Sequence, residues 1–297
     1  MLNSRDLVGY GRQPPNPLWP GEARVAVQIV LNYEEGAEKS PLYGDPESES
    51  FLLEQPTSPY PVRNLNAESQ YEYGSRSGFW RLFRLLTERK LPVTVFGVTN
   101  AMAQNPAAVA AMKEAGWEIA SHGLKWRSYA DYTMDAEREE IRQAIELHER
   151  LTGERPKGWY TGRMSPNTRS LLVAAGGFLY DSNAFNDDLP YWDLVDGKHH
   201  LVIPYTHDCN DMRYLIPYGY QAPSFSHFLG DALDFLIREG RTAPKLMNIG
   251  LHNRISGKPS RAADLERFLD RLAGEPAAWT TTREMIARHW HEKHPCK

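Results

Sequence analysis

Two adjacent carboxylates, Glu34 and Glu35, follow the apolar run 25–31 and precede Gly36. The run has the composition of a buried strand, and in a barrel of parallel strands the active site lies where the strands end. Two acids at such a place can bind a metal, share a proton, or act as a base and the group that orients it. A strand-end turn whose acids face solvent gives the same local sequence. The residues after the other apolar runs therefore decide between these two interpretations.

Polar side chains come after four further apolar runs in the same way. They form the groups Ser121-His122-Gly123, Thr161-Gly162-Arg163, Asp181-Ser182 with Asp187-Asp188, and His252-Asn253-Arg254. If the strands are parallel, all of these groups share one rim of the sheet. Histidine, arginine and carboxylate side chains on one rim can supply a base, an acid and a cation for a developing oxyanion. The pattern therefore predicts a hydrolytic site.

The elements that must position these residues alternate between strand and helix. Strands are predicted at 24–31, 93–98, 118–121, 158–160, 178–181, 201–205, 245–251 and 279–282. Helices are predicted at 77–90, 106–115, 135–151, 166–175, 224–239, 260–273 and 283–291. This alternation indicates a parallel α/β sheet, and the number of elements favours a barrel over an open doubly wound sheet. No GxGxxG follows the first strand and no GxxxxGK[ST] occurs, so a nucleotide-binding fold lacks its usual motifs.

The chain is predicted to form one domain, residues 24–297, preceded by an N-terminal arm, residues 1–23, that is rich in proline. Residues 36–68 are also rich in proline and are expected to be irregular, and a loop of that length in a compact domain is usually functional or disordered. The histidines of the tail, residues 289–294, do not have the spacing of a zinc signature. We expect them to belong to a packed helix end.

Composition excludes several classes of protein. The 297 residues are 41% hydrophobic and carry a net charge of -4, which gives no electrostatic footprint for nucleic acid or a membrane surface. No segment approaches the roughly 20 apolar residues that span a bilayer. The polar N-terminus lacks the apolar core of a secretory signal peptide. Cys209 and Cys296 form no disulfide framework. We expect a cytoplasmic protein with neither a nucleic-acid nor a membrane partner.

The polar groups resemble the five ordered motifs of the polysaccharide deacetylase superfamily. The matching segments are 32–36, 122–126, 163–166, 187–192 and 250–252. The Asp-Asp pair of that family is Glu34-Glu35 here, and the second histidine of its metal pair is Trp126. A zinc site of this type takes a carboxylate and two histidines, and an indole has no lone pair to offer. No metal or other cofactor is therefore expected, and zinc is the alternative if His207 or Asp208 supplies a ligand.

These departures are similar to the metal-independent allantoinase branch of the superfamily. The segments that carry this similarity are 31–36, 71–76, 158–163, 187–192, 203–206 and 210–213. The resemblance implies a distorted (β/α) barrel, hydrolysis of a carbon–nitrogen bond in a cyclic amide, and conversion of allantoin to allantoate in purine catabolism. It also implies a homotetramer whose small-molecule partner is a cyclic ureide or imide. The stretch 206–209 and Asn253 differ from the expected branch pattern, which leaves a related substrate open.

Each candidate residue has an expected role in such a reaction. Glu34 is expected to orient or deprotonate water, and Glu35 to raise the pKa of Glu34 by like-charge repulsion or to hold a neighbour in place. His122 and His252 are the candidate general acid and base. Arg163 is expected to pair with Glu34 or to contact a carbonyl or the oxyanion, and a structural ion pair is the alternative. The residues expected to line the substrate pocket are Glu72, Arg76, Trp126, Tyr160, Asp187, Asp188 and Trp192.

Two other functions stay open at this point. One is a metal-dependent N-deacetylase of N-acetylated sugars or polysaccharide, which requires a further metal ligand. The other is an inactive barrel that binds a ligand, and the presence of Glu34, His122, Arg163 and His252 counts against it.

Overall fold

The computed structural model describes residues 5–55, 58–215 and 224–296. Within these ranges the strands are β1 (Val25–Tyr33), β2 (Val93–Gly97), β3 (Glu118–Ser121), β4 (Gly158–Trp159), β5 (Tyr180–Asp181), β6 (Tyr191–Val195), β7 (Lys198–Val202), β8 (Cys209–Asn210), β9 (Lys245–His252) and β10 (Ala278–Thr281). They form one sheet in the order β6-β7-β5-β4-β3-β2-β1-β9-β8, and β10 pairs with the first half of β1. Only the hairpin β6–β7 is antiparallel among the pairs described. The predicted single-domain α/β fold with a mostly parallel sheet is confirmed.

Helices alternate with the strands and cover the sheet. They are α1 (Leu65–Tyr73), α2 (Phe79–Glu88), α3 (Thr99–Gln104), α4 (Pro106–Glu114), α5 (Met134–Thr152), α6 (Thr168–Ala175), α7 (Ser224–Glu239), α8 (Asn253–Ser256), α9 (Pro259–Ala273) and α10 (Arg283–Lys293). In the described part of the chain, no helix is long and apolar enough to cross a membrane.

Both faces of β1 are buried, which is typical of a parallel strand covered on each side. Alternate residues from Val25 to Tyr33 pack into the layer that contains α2. Val30, on the other face, belongs to an interior cluster with Phe96, Tyr160 and Tyr205. Because of this alternation, successive side chains at the end of β1 point in turn to the layer that contains α2 and to the interior cluster.

The segment before α2 differs from the sequence-based expectation. The sequence predicts a turn at 71–74, but α1 runs through it and continues as one turn of π-helix, Gly74–Gly78, into α2. A Cβ at Gly74 would lie 2.5 Å from Glu35 Oε1, and one at Gly78 would lie 2.0 Å from the carbonyl oxygen of Asn253. The two glycines therefore allow the Glu35 carboxylate and the start of α8 to approach this helix. A π-turn beside functional residues is a recurrent arrangement.

The hairpin β6–β7 is absent from the sequence-based prediction, because the composition of its first strand is that of a loop. Its turn is formed by Asp196 and Gly197, both with positive φ, at 50° and 76°. Two such residues in succession are the signature of a type I′ turn, whose twist suits a two-residue hairpin. The hairpin extends the sheet beyond β5 and carries Trp192 away from the rim that holds Glu34.

The described part of the N-terminal arm packs against the C-terminal helix. Trp19 contacts Trp290, with ring centroids 6.1 Å apart, and His289 Nε2 lies 2.8 Å from the carbonyl oxygen of Pro17. Trp290 is buried at 1% exposure. The expectation that the histidine-rich tail is a packed helix end is confirmed.

Candidate active site

Glu34 lies at the centre of the site, immediately after β1 and only 1% exposed. Its Oε1 is 3.4 Å from His122 Nε2 and 3.6 Å from His252 Nε2. Its Oε2 accepts a hydrogen bond of 2.8 Å from Arg254 Nη1. The ends of β1, β3 and β9 thus bring one carboxylate and two imidazoles together, as the strand-end pattern predicted.

His122 is held in one tautomer when its ring is neutral. Its Nδ1 lies 2.9 Å from the carbonyl oxygen of Tyr160. A carbonyl oxygen only accepts, so Nδ1 carries the proton and donates it. The lone pair of the neutral ring is therefore on Nε2, the atom that faces Glu34. In the neutral ring, Nε2 is therefore the only nitrogen that can accept a proton, and the contact with Tyr160 fixes its position.

His252 is oriented by a buried carboxylate, Asp211. His252 Nδ1 donates to Asp211 Oδ1 at 2.6 Å, while Asp211 Oδ2 accepts from the His252 backbone N–H and from the Ser256 hydroxyl, both at 2.7 Å. Burial lowers the pKa of His252, but the charges of Asp211 and Glu34 overcome that effect and raise it to about 9. His252 is therefore an imidazolium at neutral pH, with its second N–H on the side of Glu34.

The two glutamates have opposite electrostatic environments. Burial raises the pKa of Glu34, yet Arg254 and His252 outweigh burial and hold it well below its ordinary value. For Glu35 burial prevails over Arg254 and Asn253, and its pKa is raised. The expectation that Glu35 raises the pKa of Glu34 is wrong, because the two adjacent cations dominate over the like charge. Glu35 instead accepts a hydrogen bond of 2.8 Å from the Asn253 amide, which ties the end of β1 to α8.

The arginine that pairs with Glu34 is Arg254 rather than Arg163, so that part of the prediction was wrong. The Arg163 guanidinium lies over the ring of Trp126, 4.2 Å from its centroid, and 5.1 Å from the centroid of Phe51. Arg254 follows His252 by two residues and reaches Glu34 because α8 begins directly where β9 ends. Contact of Arg163 with a substrate carbonyl or oxyanion stays a prediction.

Trp126 is a buried aromatic wall between two guanidinium groups. It is 5% exposed, and its ring lies 4.2 Å from Arg163 and 5.3 Å from Arg254. The rings of Phe51 and Tyr71 each lie 6.2 Å away. The position that carries a histidine in the metal motif therefore packs aromatic and cationic groups here.

Tyr160 contacts His122 on one side and His207 on the other. Its carbonyl oxygen receives the His122 N–H, and its hydroxyl lies 3.3 Å from His207 Nε2. Burial and the charge of His252 lower the pKa of His207 to about 4, so this imidazole is neutral. The ring of His207 is only partly buried and contacts Phe185, whose side chain is 47% exposed. Tyr160, whose pKa is raised by burial, and His207 are therefore both uncharged at neutral pH.

Asp187 and Asp188, predicted to line the pocket, lie elsewhere. The Asp188 carbonyl oxygen accepts from the backbone N–H of Leu246, near the start of β9, whereas His252 ends the same strand. Six residues of strand separate the two positions, or about 20 Å. Asp187 caps its own turn by accepting from the backbone N–H groups of Asp188 and Leu189. The sequence indicated a strand-end loop but not which end of the sheet it returns to.

Three other predicted pocket residues also face away from Glu34. Trp192 donates its indole N–H to the carbonyl oxygen of His294 at 2.7 Å and packs on the C-terminal helix. Glu72 and Arg76 form an exposed pair at 3.9 Å, with 62% and 79% of their side chains accessible. Because Tyr71 occupies the buried face of the same helix, its neighbour Glu72 points to solvent. The expectation of a ligand role for these three residues is not supported by their positions.

Asp211 and Arg254 are the functional residues that the sequence reasoning missed. Both stood in segments already singled out, 210–213 and 252–254, but neither received a role. Asp211 follows a strand of only two residues, β8, which is too short to be recognised by its pattern. Arg254 could have been found as a second cation next to the strand-end His252. Choosing between it and Arg163 required the direction of α8.

The donors do not fit a metal centre. Trp126 occupies the place of one ligand, and Arg254 Nη1 donates to Glu34 Oε2 at 2.8 Å, so a cationic side chain already neutralises this carboxylate. Across residues 5–55, 58–215 and 224–296, no group of three His, Cys, Asp or Glu side chains has the arrangement of a metal site, and this includes Glu34 with His122 and His252. Asp208, considered as a substitute ligand, pairs with Arg213 at 3.2 Å.

The charge on His252 makes a prediction for stability. Its folded pKa of about 9 lies above its unfolded value near 6.5, so the stabilisation is complete below pH 6.5 and is lost as the pH rises to about 9. We expect the free energy of unfolding to fall by about 3 kcal/mol across this window. Urea unfolding at pH 7 and pH 9 measures this change, and His252→Gln should remove most of it. If the free energy of unfolding fell by the same amount between the two pH values in wild type and in His252→Gln, the raised pKa of His252 would be contradicted.

Comparison with known proteins places the whole chain beside one group of hydrolases. The sequence pattern of the polysaccharide deacetylase family matches residues 67–176. A relative from Schizosaccharomyces pombe named as a putative polysaccharide deacetylase is 39% identical over 320 residues, with 100% of each chain covered. The crystal structure of a probable polysaccharide deacetylase from Pseudomonas aeruginosa PAO1 is 51% identical with a TM-score of 0.96, and that of PuuE allantoinase is 49% identical with a TM-score of 0.96. Each structural match covers 99% of both chains.

Proposed function

This chain belongs to the polysaccharide deacetylase family, in the branch that includes PuuE allantoinase, and from this we propose that it hydrolyses a cyclic amide, with allantoin as substrate and allantoate as product. The observation that carries the proposal is the ionised Glu34 set between a tautomer-fixed His122 and an Asp211-bound, protonated His252. Full-length similarity to PuuE allantoinase supports the choice of substrate. A cytoplasmic homotetramer that acts in purine catabolism belongs to the same proposal.

His122 is the proposed general base. The oxygen of a water molecule attacks the ring carbonyl carbon, and its proton passes to His122 Nε2, the ring nitrogen that carries the lone pair. Glu34 accepts a hydrogen bond from the same water and fixes its direction. Its strongly lowered pKa makes Glu34 a weak proton acceptor, so it orients water better than it deprotonates it.

His252 is the proposed general acid. When the carbon–nitrogen bond breaks, the leaving nitrogen takes the proton of His252 Nε2, and the new carbonyl group becomes a carboxylic acid that ionises. His252 regains a proton from His122, since Glu34 Oε1 faces both Nε2 atoms at 3.4 and 3.6 Å. The pKa of about 9 keeps His252 protonated at neutral pH, which suits a group that must donate.

Asp211→Asn tests the role of the buried carboxylate behind His252. The amide keeps the shape but removes the charge, so the pKa of His252 should fall. We expect kcat to decrease by roughly 10²-fold, in the range of general acid catalysis, and the alkaline limb of the pH–rate profile to move from about 9 to a lower pH. KM should change little. A decrease in kcat with an unmoved alkaline limb would contradict the acid role.

The substrate is tested by a product-resolved assay. Purified protein is incubated with allantoin, with other five-membered cyclic imides, and with N-acetylglucosamine oligomers, and products are followed by ¹³C NMR. The proposal expects allantoate from allantoin and no acetate from the oligomers. Release of acetate without ring opening would replace the proposal by N-deacetylation. A ligand-induced shift in Tm without turnover would favour the ligand-binding barrel.

A further inference from the structure

A buried arginine, Arg254, is the cation that faces Glu34 and Glu35. Arg254 is 2% exposed, and its Nη1 lies 2.8 Å from Glu34 Oε2 and 3.6 Å from Glu35 Oε1. Burial lowers the pKa of Arg254, but Tyr71, Glu34 and Glu35 reverse this effect and raise it above its ordinary value. Arg254 therefore carries its positive charge at neutral pH.

The guanidinium is fixed on several sides. Its Nε donates to the carbonyl oxygen of Leu52 at 3.3 Å, and its carbon lies 4.2 Å from the Tyr71 ring centroid and 5.3 Å from that of Trp126. Segment 48–53 and α1 thus hold the side chain in place from outside the sheet. A charge that cannot relax away keeps its full effect on neighbouring carboxylates in a poorly solvated site.

One donor atom of this guanidinium has no hydrogen-bond partner in the described part of the chain. Arg254 Nη2 is buried and makes no hydrogen bond within the described residues. A buried charged N–H group without a partner is costly, so such donors commonly serve a ligand or an ordered water. In this site the ligand with the greatest need of a donor is an oxygen atom that gains negative charge.

We propose that Arg254 supplies the positive charge that a metal ion supplies where the second histidine of the family motif is present. It holds Glu34 ionised through Nη1 and offers Nη2 to the substrate oxygen that becomes negative. A divalent ion beside Glu34 would lie close to this guanidinium and be repelled by it. This inference rests on the proposed function for its catalytic part, whereas its electrostatic part concerns the folded protein alone.

Removing the side chain tests the catalytic part. Arg254→Ala should lower kcat for allantoin by roughly 10³-fold, the loss typical of a group that stabilises an oxyanion. Guanidinium chloride at a concentration well below that of unfolding should restore the activity at least tenfold, because the free ion can enter the vacated space. Arg261→Ala is the matched control, since Arg261 pairs with Glu54 at 3.1 Å and should keep wild-type activity. Retention of more than about a tenth of wild-type kcat by Arg254→Ala would overturn the proposal.

Zinc affinity tests the electrostatic part without any turnover. Wild-type protein and Arg254→Ala are titrated with Zn²⁺ by calorimetry, after circular dichroism has confirmed the fold. The proposal expects affinity to rise at least tenfold in the variant, and equal affinities, or stoichiometric zinc in the wild type, would overturn it. If Arg254→Ala does not fold, Arg254→Lys takes its place. This variant should still exclude zinc, but its kcat should fall. Full activity or zinc binding by Arg254→Lys would overturn the proposal. Lack of activity on allantoin in the wild type would count against the proposed function, but the zinc titration would still test the electrostatic part of the proposal.

Discussion

Glu34→Gln is expected to lower kcat/KM for allantoin by a factor on the order of 10³ while the protein remains folded. Glutamine has nearly the same shape, but it removes the charge that Arg254 Nη1 meets at 2.8 Å and that raises the pKa of His252. The water loses a strong acceptor and the general acid becomes weaker at the same time. Steady-state kinetics over a range of pH separates the two effects. Only the lower pKa of His252 also moves the alkaline limb of the pH–rate profile to lower pH.

Glu35→Gln is the matched control for this prediction. Glu35 is the next residue, is equally buried and also lies near Arg254, at 3.6 Å. Its pKa is raised and its contacts are with Asn253 and the backbone of Glu34, so an amide can replace it at small cost. We expect most of the activity to remain. Comparable losses in the two variants would mean that the site needs the pair and not Glu34 alone.

Arg283→Met is expected to cost about 3–5 kcal/mol of the free energy of unfolding, the largest change in stability that we predict. Arg283 is fully buried at the start of α10, and its acceptors are the Ser182 hydroxyl, the side-chain oxygens of Gln28 and Asn248, and the carbonyl oxygens of Ile203 and Pro204. Methionine fills much of the volume but leaves these five acceptors without a donor in the interior. Each unsatisfied buried group costs about 1–3 kcal/mol, and relief of the buried charge offsets part of the total.

Arg288→Met on the same helix is the control. Arg288 pairs with Glu284 one turn away, and its side chain is 54% exposed. Exposed pairs of this kind contribute about 0.3–0.5 kcal/mol, so the midpoint of urea unfolding should hardly move. Urea unfolding of both variants measures the difference. If Arg283→Met were as stable as Arg288→Met, the interior hydrogen bonds of Arg283 would not be a main support of the barrel.

The centre of the site could be predicted because its residues share one simple rule. Glu34, His122 and His252 each come at the end of an apolar run, and parallel strands bring such positions to one rim. The rule needs only strand direction and the place where hydrophobicity stops, both of which the sequence carries. The same pattern places most helices within a few residues of their observed bounds.

The rule failed where a loop or a helix changes direction after the strand. Asp187 and Asp188 follow β5 but return to the start of β9, and this path depends on a carbonyl hydrogen bond to Leu246 that no local pattern announces. Arg163 and Arg254 are equivalent candidates in the sequence. Only the immediate start of α8 after β9, allowed by the close approach of Gly78, turns Arg254 toward Glu34.

The charges of the site were the hardest feature to predict, because they depend on distances of a few ångströms. From the sequence, we inferred like-charge repulsion between Glu34 and Glu35 and a pair between Glu34 and Arg163. In the fold, Arg254 and His252 lie 2.8 and 3.6 Å from the Glu34 carboxylate, and their charges hold its pKa well below its ordinary value. Sequence order thus identified the chemical groups, whereas packing decided which of them acts as acid, base or counter-ion.

The most direct test of a metal-free acid–base site is turnover of allantoin by protein of measured metal content. The purified chain is chelated exhaustively, its metal is quantified by mass spectrometry, and allantoate formation is followed before and after addition of Zn²⁺. We predict unchanged kcat at a metal content far below one ion per chain, with no gain on adding zinc. Activity that disappears on chelation and returns in proportion to bound zinc would contradict a metal-free mechanism.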